Sequence, residues 1–310
     1  MDSIFGVESP AYVGVRAALS IVTVGLLGAL SLRLIVMRRY VGPDAAALRR
    51  AVDAKLPTLV DAFGIAAVAA TFARLAAQHA AVFGSEVAPS ATTLSALLFR
   101  AGWGRAWWIA LASAVAITWI APRLRESAAA WAAASAAIIT FALTQPLAGH
   151  PAAAVRPFVA VLTQLVHIIG AGAWIGGLAM LTAVAIPAAR TVADPTDGDA
   201  RIAGLVRAFS PTALVAAALL GLTGVIAAWS NLGGVAELWR SDYGRILLLK
   251  LALLSAVAAT GAYNWRRVLP SLGSPSSSAA LRRSSLVELA TATAVLIVTA
   301  VLVATPMPGE

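Results

Sequence analysis

The sequence predicts an all-α fold, a polytopic transmembrane helix bundle of about eight spans with both termini outside. Three observations predict it: apolar blocks too long for a soluble core, arginines segregated into alternate loops, and tryptophans gathered at block ends. Hydrophobic residues make up 60% of the 310 and charged residues 12%, against roughly 45–50% and 25% in soluble domains. A helix crossing the hydrocarbon layer needs about 20 apolar residues at about 1.5 Å of rise each.

Eight blocks meet that need, taken in order: Tyr12–Val36, Leu56–Phe83, Ala106–Ala121, Ser127–Ala148, Phe158–Ile186, Ala208–Trp229, Ile246–Asn264 and Leu286–Ala304. The third is short, and the fifth is longer than one perpendicular crossing requires. Asp2 and Glu8 precede the first block, which is too long for a signal-peptide core, so it reads as a retained span. There is no cysteine, which excludes disulfides, thiolate metal sites and iron–sulfur clusters.

The net charge of +9 is a topology signal rather than a nucleic-acid footprint. With the loop after the first block placed in the cytoplasm and the sides alternating, the inner loops hold fourteen basic residues: Arg38, Arg39, Arg49, Arg50, Lys55, Arg123, Arg125, Arg190, Arg201, Arg207, Arg266, Arg267, Arg282 and Arg283. The outer loops hold five: Arg100, Arg105, Arg156, Arg240 and Arg245. That asymmetry obeys the positive-inside rule. Trp103, Trp107, Trp108, Trp119, Trp229, Trp239 and Trp265 fall at predicted span ends, as an interfacial aromatic belt requires.

Two outer segments read as short surface helices, Ala91–Phe99 and Asn231–Tyr243, the latter with Leu232, Val235, Leu238 and Trp239 on one face. The Ser/Gly/Pro-rich stretch Ser271–Ser278 reads as a flexible inner loop. Residues 1–310 form a single membrane domain without a clear internal repeat. Glycines such as those of Gly170-Ala-Gly-Ala-Trp-Ile-Gly-Gly177 read first as helix-packing positions, and second as room for a ligand beside the backbone.

Polar groups inside the hydrocarbon need an explanation. His79 lies near the outer end of the second block, His150 just past the fourth, and His167 inside the fifth. All three belong to the outer half, which points to a shared metal site rather than three separate packing residues. Imidazole nitrogen suits copper, zinc, nickel or haem iron, whereas magnesium and calcium want oxygen clusters that this sequence lacks. Met1 and Met307, in the outer tails, are further thioether candidates, while Met180 is too far along its helix from His167. Gln164 and Trp174 share the His167 face.

These residues form a pattern that resembles the CopD copper-resistance membrane proteins. Gly149-His150 precedes a span that carries His167-x-x-Gly-Ala-x-x-Trp174-x-Gly-Gly177-Leu178. Arg207-x-Phe-Ser210, Thr223-Gly224, Tyr243-Gly244-x-x-Leu-x-x-Lys250, Asn264 and Glu288 follow in order. The resemblance covers about Gln145 to Pro306, the CopD-like portion, 145–306. It implies a copper ion transporter of the bacterial cytoplasmic membrane, receiving metal from a periplasmic partner of the CopC type. His150 and His167 carry over as metal ligands, and His79 joins them by location alone. Family members often have an aspartate where Gln164 stands, and a neutral amide orients an imidazole without adding charge.

Four buried or half-buried charges have structural readings beside functional ones. Lys250 snorkels outward, Glu288 neutralises Arg282 and Arg283, Arg74 snorkels or pairs with a carboxylate, and Asp61 either packs or marks a cation's exit. The first rival to the transporter is a b-type cytochrome with bis-histidine haem; the second is a structural or assembly subunit that binds no metal. No P-loop, His-Glu-x-x-His or Gly-x-Ser-x-Gly is present, so neither ATP-driven transport nor hydrolysis has a motif to stand on.

Overall fold

The computed structural model describes residues 10–42, 44–125, 127–192, 197–263, 266, 275–306 and 308. Eight long helices run through them, with no strand among the described residues. Helix α1 covers Pro10–Ser31 and continues through a widened π-helical turn, Leu32–Val36, to Arg39. Next come α2 (Ala45–Phe83), α3 (Gly102–Ile120) and α4 (Ala128–Leu147). Helix α5 (Pro157–Ala171) passes through π-helical turns at Gly172–Gly176 and Leu181–Ala185 before ending at Thr191. The last three are α6 (Gly198–Leu232), α7 (Asp242–Tyr263) and α8 (Pro275–Ala304).

Seven of the eight are long and apolar enough to cross a membrane, and in α8 the apolar part is Ala290–Ala304. The chain is a multi-pass α-helical membrane protein.

Helices α2, α6 and α8 outrun the blocks predicted for them, the first two along protein-facing extensions. Helix α2 begins at Ala45 rather than Leu56, and α6 at Gly198 rather than Ala208. A hydropathy reading registers only lipid-facing length, whereas these extensions are amphipathic and face protein. Leu48, Val52 and Leu56 stand at four-residue spacing, and all are fully buried, as are Ile202 and Leu205. Helix α8 begins at Pro275, inside the stretch expected to be a loop, with proline in the first-turn position it tolerates. Asn264, Trp265 and residues 271–274 lie outside the described residues.

The expected surface helix at Ala91–Phe99 is present as Ala91–Ser95 running on to Arg100. Its start is set by Ser90, whose hydroxyl accepts from the Thr93 N–H while the Thr93 hydroxyl accepts from the Ser90 N–H. The second, expected over Asn231–Tyr243, is only the short helix Glu237–Arg240 between α6 and α7. Gly233, at a φ of 66°, ends α6 and separates the two.

Helix α1 is the axis of the bundle. It packs against α2, α5 and α8, and Leu26, Ala29, Leu32 and Val36 are fully buried. Its closest crossing is with α5. A Cβ on Gly28 would overlap the Gly176 backbone, and one on Gly176 would overlap the Val24 carbonyl and approach Gly28 Cα to 2.9 Å. The Gly172 position faces Leu27, and Gly177 faces Phe209 and Ser31. The packing reading of this glycine run therefore holds, because lipid gives helices no hydrophobic reason to associate and close backbone contact supplies one.

The predicted inner end is tied by ion pairs. Arg201 is fully buried; its Nη1 pairs with Asp44 Oδ2 at 2.9 Å, and its Nε donates to the Ala189 carbonyl at 2.8 Å. Asp44 reaches it from a left-handed backbone, φ 54°. Arg33 pairs with Asp53 at 2.6 Å and lies over the Trp131 ring. These contacts join the α1–α2 connection to the ends of α5 and α6. Asp44→Ala leaves a buried guanidinium without its carboxylate, and the partial exposure of Asp44 lets water offset part of the loss. The expected cost is about 1–3 kcal/mol, read as a lower thermal unfolding midpoint in detergent.

Candidate metal centre

The three histidines occupy three different settings. His79, near the end of α2, is 3% exposed. Its Nε2 lies 3.0 Å from Thr93 Oγ1, and its ring is 5.0 Å from that of Phe83. Thr93 is the residue that closes the capping box of the surface helix, so His79 pins that helix to the bundle. Thr93→Val removes both the His79 contact and the bond accepted from the Ser90 N–H, each worth about 1 kcal/mol. Faster amide exchange across Ala91–Arg100 with unchanged copper content is the expected result.

His150 opens a 3-10 turn, His150–Ala153, between α4 and α5; its side chain lies outside the described residues, as do Met1, Met307 and the side chain of Glu288. Two residues before it, the Ala148 carbonyl accepts a hydrogen bond from Arg74 Nη2 at 3.0 Å. The Arg74 guanidinium also lies 5.9 Å from the Trp103 ring centroid. Among the described residues Arg74 therefore pairs with no carboxylate. It holds a helix C-terminus, where a cation is favoured and four carbonyls lack helical donors.

His167 is the half-buried histidine, ten residues into α5, or about 15 Å below its start. Its Nδ1 lies 2.9 Å from Thr223 Oγ1 on α6. The Thr223 hydroxyl points at the Leu219 carbonyl, 2.6 Å away, and that bond uses its only proton. The hydroxyl must then accept from the imidazole, so Nδ1 carries the hydrogen. Nε2 is left as the lone-pair nitrogen, with no hydrogen-bond partner among the described residues. Metal-binding histidines are prepared in this way, one nitrogen anchored and the other presented.

The surroundings match in depth. Thr223 is nine residues from the end of α6 and Lys250 eight from the start of α7, about 14 Å and 12 Å from the same end of the bundle. Lys250 is half-buried on α7 at a depth close to that of His167. Gly224, beside Thr223, leaves the ring uncovered: an added Cβ would sit 4.0 Å from His167 Cε1. Gln164 is half-buried one turn before the histidine. Among the described residues, no three of His, Asp and Glu converge to hold a metal. Asp61 lies toward the opposite half of the bundle, half-buried.

Residues 203–302 match the model of the CopD family, copper resistance protein D. The resemblance to CopD is real. The matched segment contains Arg207, Thr223-Gly224, Tyr243-Gly244 and Lys250, and excludes His150 and His167. The chain is also 27% identical over 222 residues to the copper transport protein CutJ of Bacillus subtilis (strain 168). That alignment covers 69% of this chain and 38% of the relative, so the chain spans well under half of the CutJ length. No solved structure matches it. The chain is thus a multi-pass membrane protein whose segment 203–302 is similar to the CopD family.

The Thr223-Gly224 pair was visible in the sequence as a motif, but not as the partner of His167. The signal was in the arithmetic of depth: antiparallel helices bring residues equally far from the same end to one level. Thr93 gave no such signal, because it approaches His79 from a helix lying on the surface.

Proposed function

We propose that the chain conducts copper ions across the cytoplasmic membrane, and that His167 Nε2 is the ligand that first takes copper into the bundle. The observation that carries this reading is the His167–Thr223 pair: an anchored imidazole, half-buried within the bundle, whose free nitrogen is the metal-binding one. His150, in the turn that leads to the same helix, is the second ligand and receives copper from a periplasmic carrier of the CopC type. His79 is held by Thr93 and contributes the surface helix rather than a nitrogen.

A site of few ligands suits passage. Conduction requires binding favourable enough for entry and weak enough for release. Imidazole, hydroxyl and amide groups without a carboxylate fit a soft or borderline cation better than magnesium or calcium. Lys250 places a positive charge beside that path, disfavouring an idle cation at the level of His167.

The test is metal analysis with an optical spectrum, on wild type and on His167→Ala purified side by side after copper loading. Copper in the wild type and its loss from the variant are expected. Equal copper in both would remove His167 from the site. A Soret band that shifts on reduction would replace the reading with the bis-histidine cytochrome, and metal-free protein in both preparations would favour an assembly subunit.

A further inference from the structure

The end of the bundle that the arginine asymmetry assigns to the cytoplasm contains a cavity of about 310 Å³ lined by Arg39, Val41, Gly204, Arg207, Ala208 and Pro211. Two arginines line it, and no carboxylate does among the described residues. Arg39 spends one N–H on Thr212 Oγ1 at 3.1 Å. Arg207 is exposed and has no partner among the described residues. Pro211 has no N–H, so the Arg207 carbonyl, four residues earlier, lacks its helical donor. One small cavity thus presents two arginines to an anion.

Its depth matches a headgroup. Helix α6 ends at Leu232, and the 20 residues back to Thr212 span about 30 Å, the thickness of the hydrocarbon layer. Arg207 lies beyond that distance, at the level of lipid phosphates. On the same face of α6, at steps of four, four, seven and three, follow Pro211, Val215, Leu222 and Val225. Val215 is 60% exposed, Leu222 61% and Val225 67%. An apolar track therefore rises from the cavity along the lipid-facing side of the helix.

We propose that this cavity binds the phosphate of an anionic phospholipid, whose acyl chains lie along Val215, Leu222 and Val225. Charge complementarity selects the anionic class: two interfacial arginines, with no acid lining the cavity among the described residues, distinguish a phosphodiester with net charge from a zwitterionic headgroup. The α1 end and the α6 entrance that form the cavity are already linked by the Arg39–Thr212 bond. A bound headgroup would bridge the same two elements a second time. Assignment to the inner leaflet rests on the arginine-derived orientation, whereas the site itself does not.

Native mass spectrometry of the full chain tests this, with phosphatidylglycerol and phosphatidylcholine of identical acyl chains as probes. Wild type is expected to retain phosphatidylglycerol in preference by on the order of ten-fold, from two interfacial arginines. R39Q/R207Q is expected to lose that preference. R100Q/R240Q, which removes the same charge from exposed positions outside the cavity, is expected to keep it. If R39Q/R207Q does not fold, Arg207→Gln alone carries the test, since that side chain is exposed and unpartnered; a reduced preference is expected. Equal retention of the two lipids, a preference that survives either cavity variant, or an equal loss in R100Q/R240Q would overturn the proposal. Displacement of phosphatidylglycerol by millimolar inorganic phosphate would reassign the cavity to free phosphate.

Discussion

Thr223→Val is expected to lower copper affinity by about ten- to a hundred-fold while leaving the bundle folded, the scale seen when the outer partner of a metal-bound histidine is removed. Valine keeps the shape of threonine and loses the acceptor. Nδ1–H of His167 then has no partner in a setting that excludes water, and the imidazole is free to turn or to move its proton to Nε2. Either change withdraws the presented lone pair. Thr223→Ser keeps a hydroxyl within reach of both the imidazole and the Leu219 carbonyl, and is expected to stay close to wild type. Copper titration of the three proteins, with thermal unfolding as a control, checks this. If valine and serine bind copper alike, the hydroxyl does not position the ligand. The result also separates positioning from bulk packing, since the two variants differ far more in hydrogen bonding than in volume.

Gly176→Leu is expected to abolish the folded bundle, a loss beyond the 4–5 kcal/mol (roughly) that single substitutions seldom exceed. The added side chain would meet the backbone of α1 at Val24 and Gly28, and no rotamer change relieves a clash with backbone. Helices α1 and α5 would have to separate, taking the contacts of Leu27 with Gly172 and of Ser31 with Gly177 with them. Gly28→Leu is expected to fail in the same way. Gly221→Leu is the control, because nothing lies within 4 Å of an added Cβ there. Size-exclusion profiles in mild detergent distinguish them: a monodisperse peak for Gly221→Leu, and aggregate for the other two. A well-folded Gly176→Leu would mean that the crossing is looser than its geometry indicates.

The spans were readable because lipid imposes a simple rule on the residues that face it. Protein-facing helix is harder to read. Leu48 and Val52 carry α2 well past its apolar block, and they resemble ordinary amphipathic sequence until a partner is known. Arg201 illustrates the same limit: counted among inner-loop charges, it is fully buried, because α6 has already begun and Asp44 reaches across to meet it. Arg74 was readable as a charge needing a partner, but its acceptor is a backbone carbonyl, which no residue type announces. Of the histidine site, the depth of His167 was readable and its partner was not. Which helix stands beside which is set by crossings such as Gly28 with Gly176, and a single sequence records only one side of each.

Helix α1, the most enclosed of the spans, also precedes α5 and α8 in the chain. During insertion it reaches the bilayer before either helix that will cover it, so its glycine face meets lipid first and protein later. The flat surface around Gly28 stays open until residues 172–177 emerge, nearly 150 positions on. The α1–α5 crossing therefore closes only after a segment far along the chain has been made. Truncation before α5 would strand that surface in lipid, where quality-control proteases find their targets.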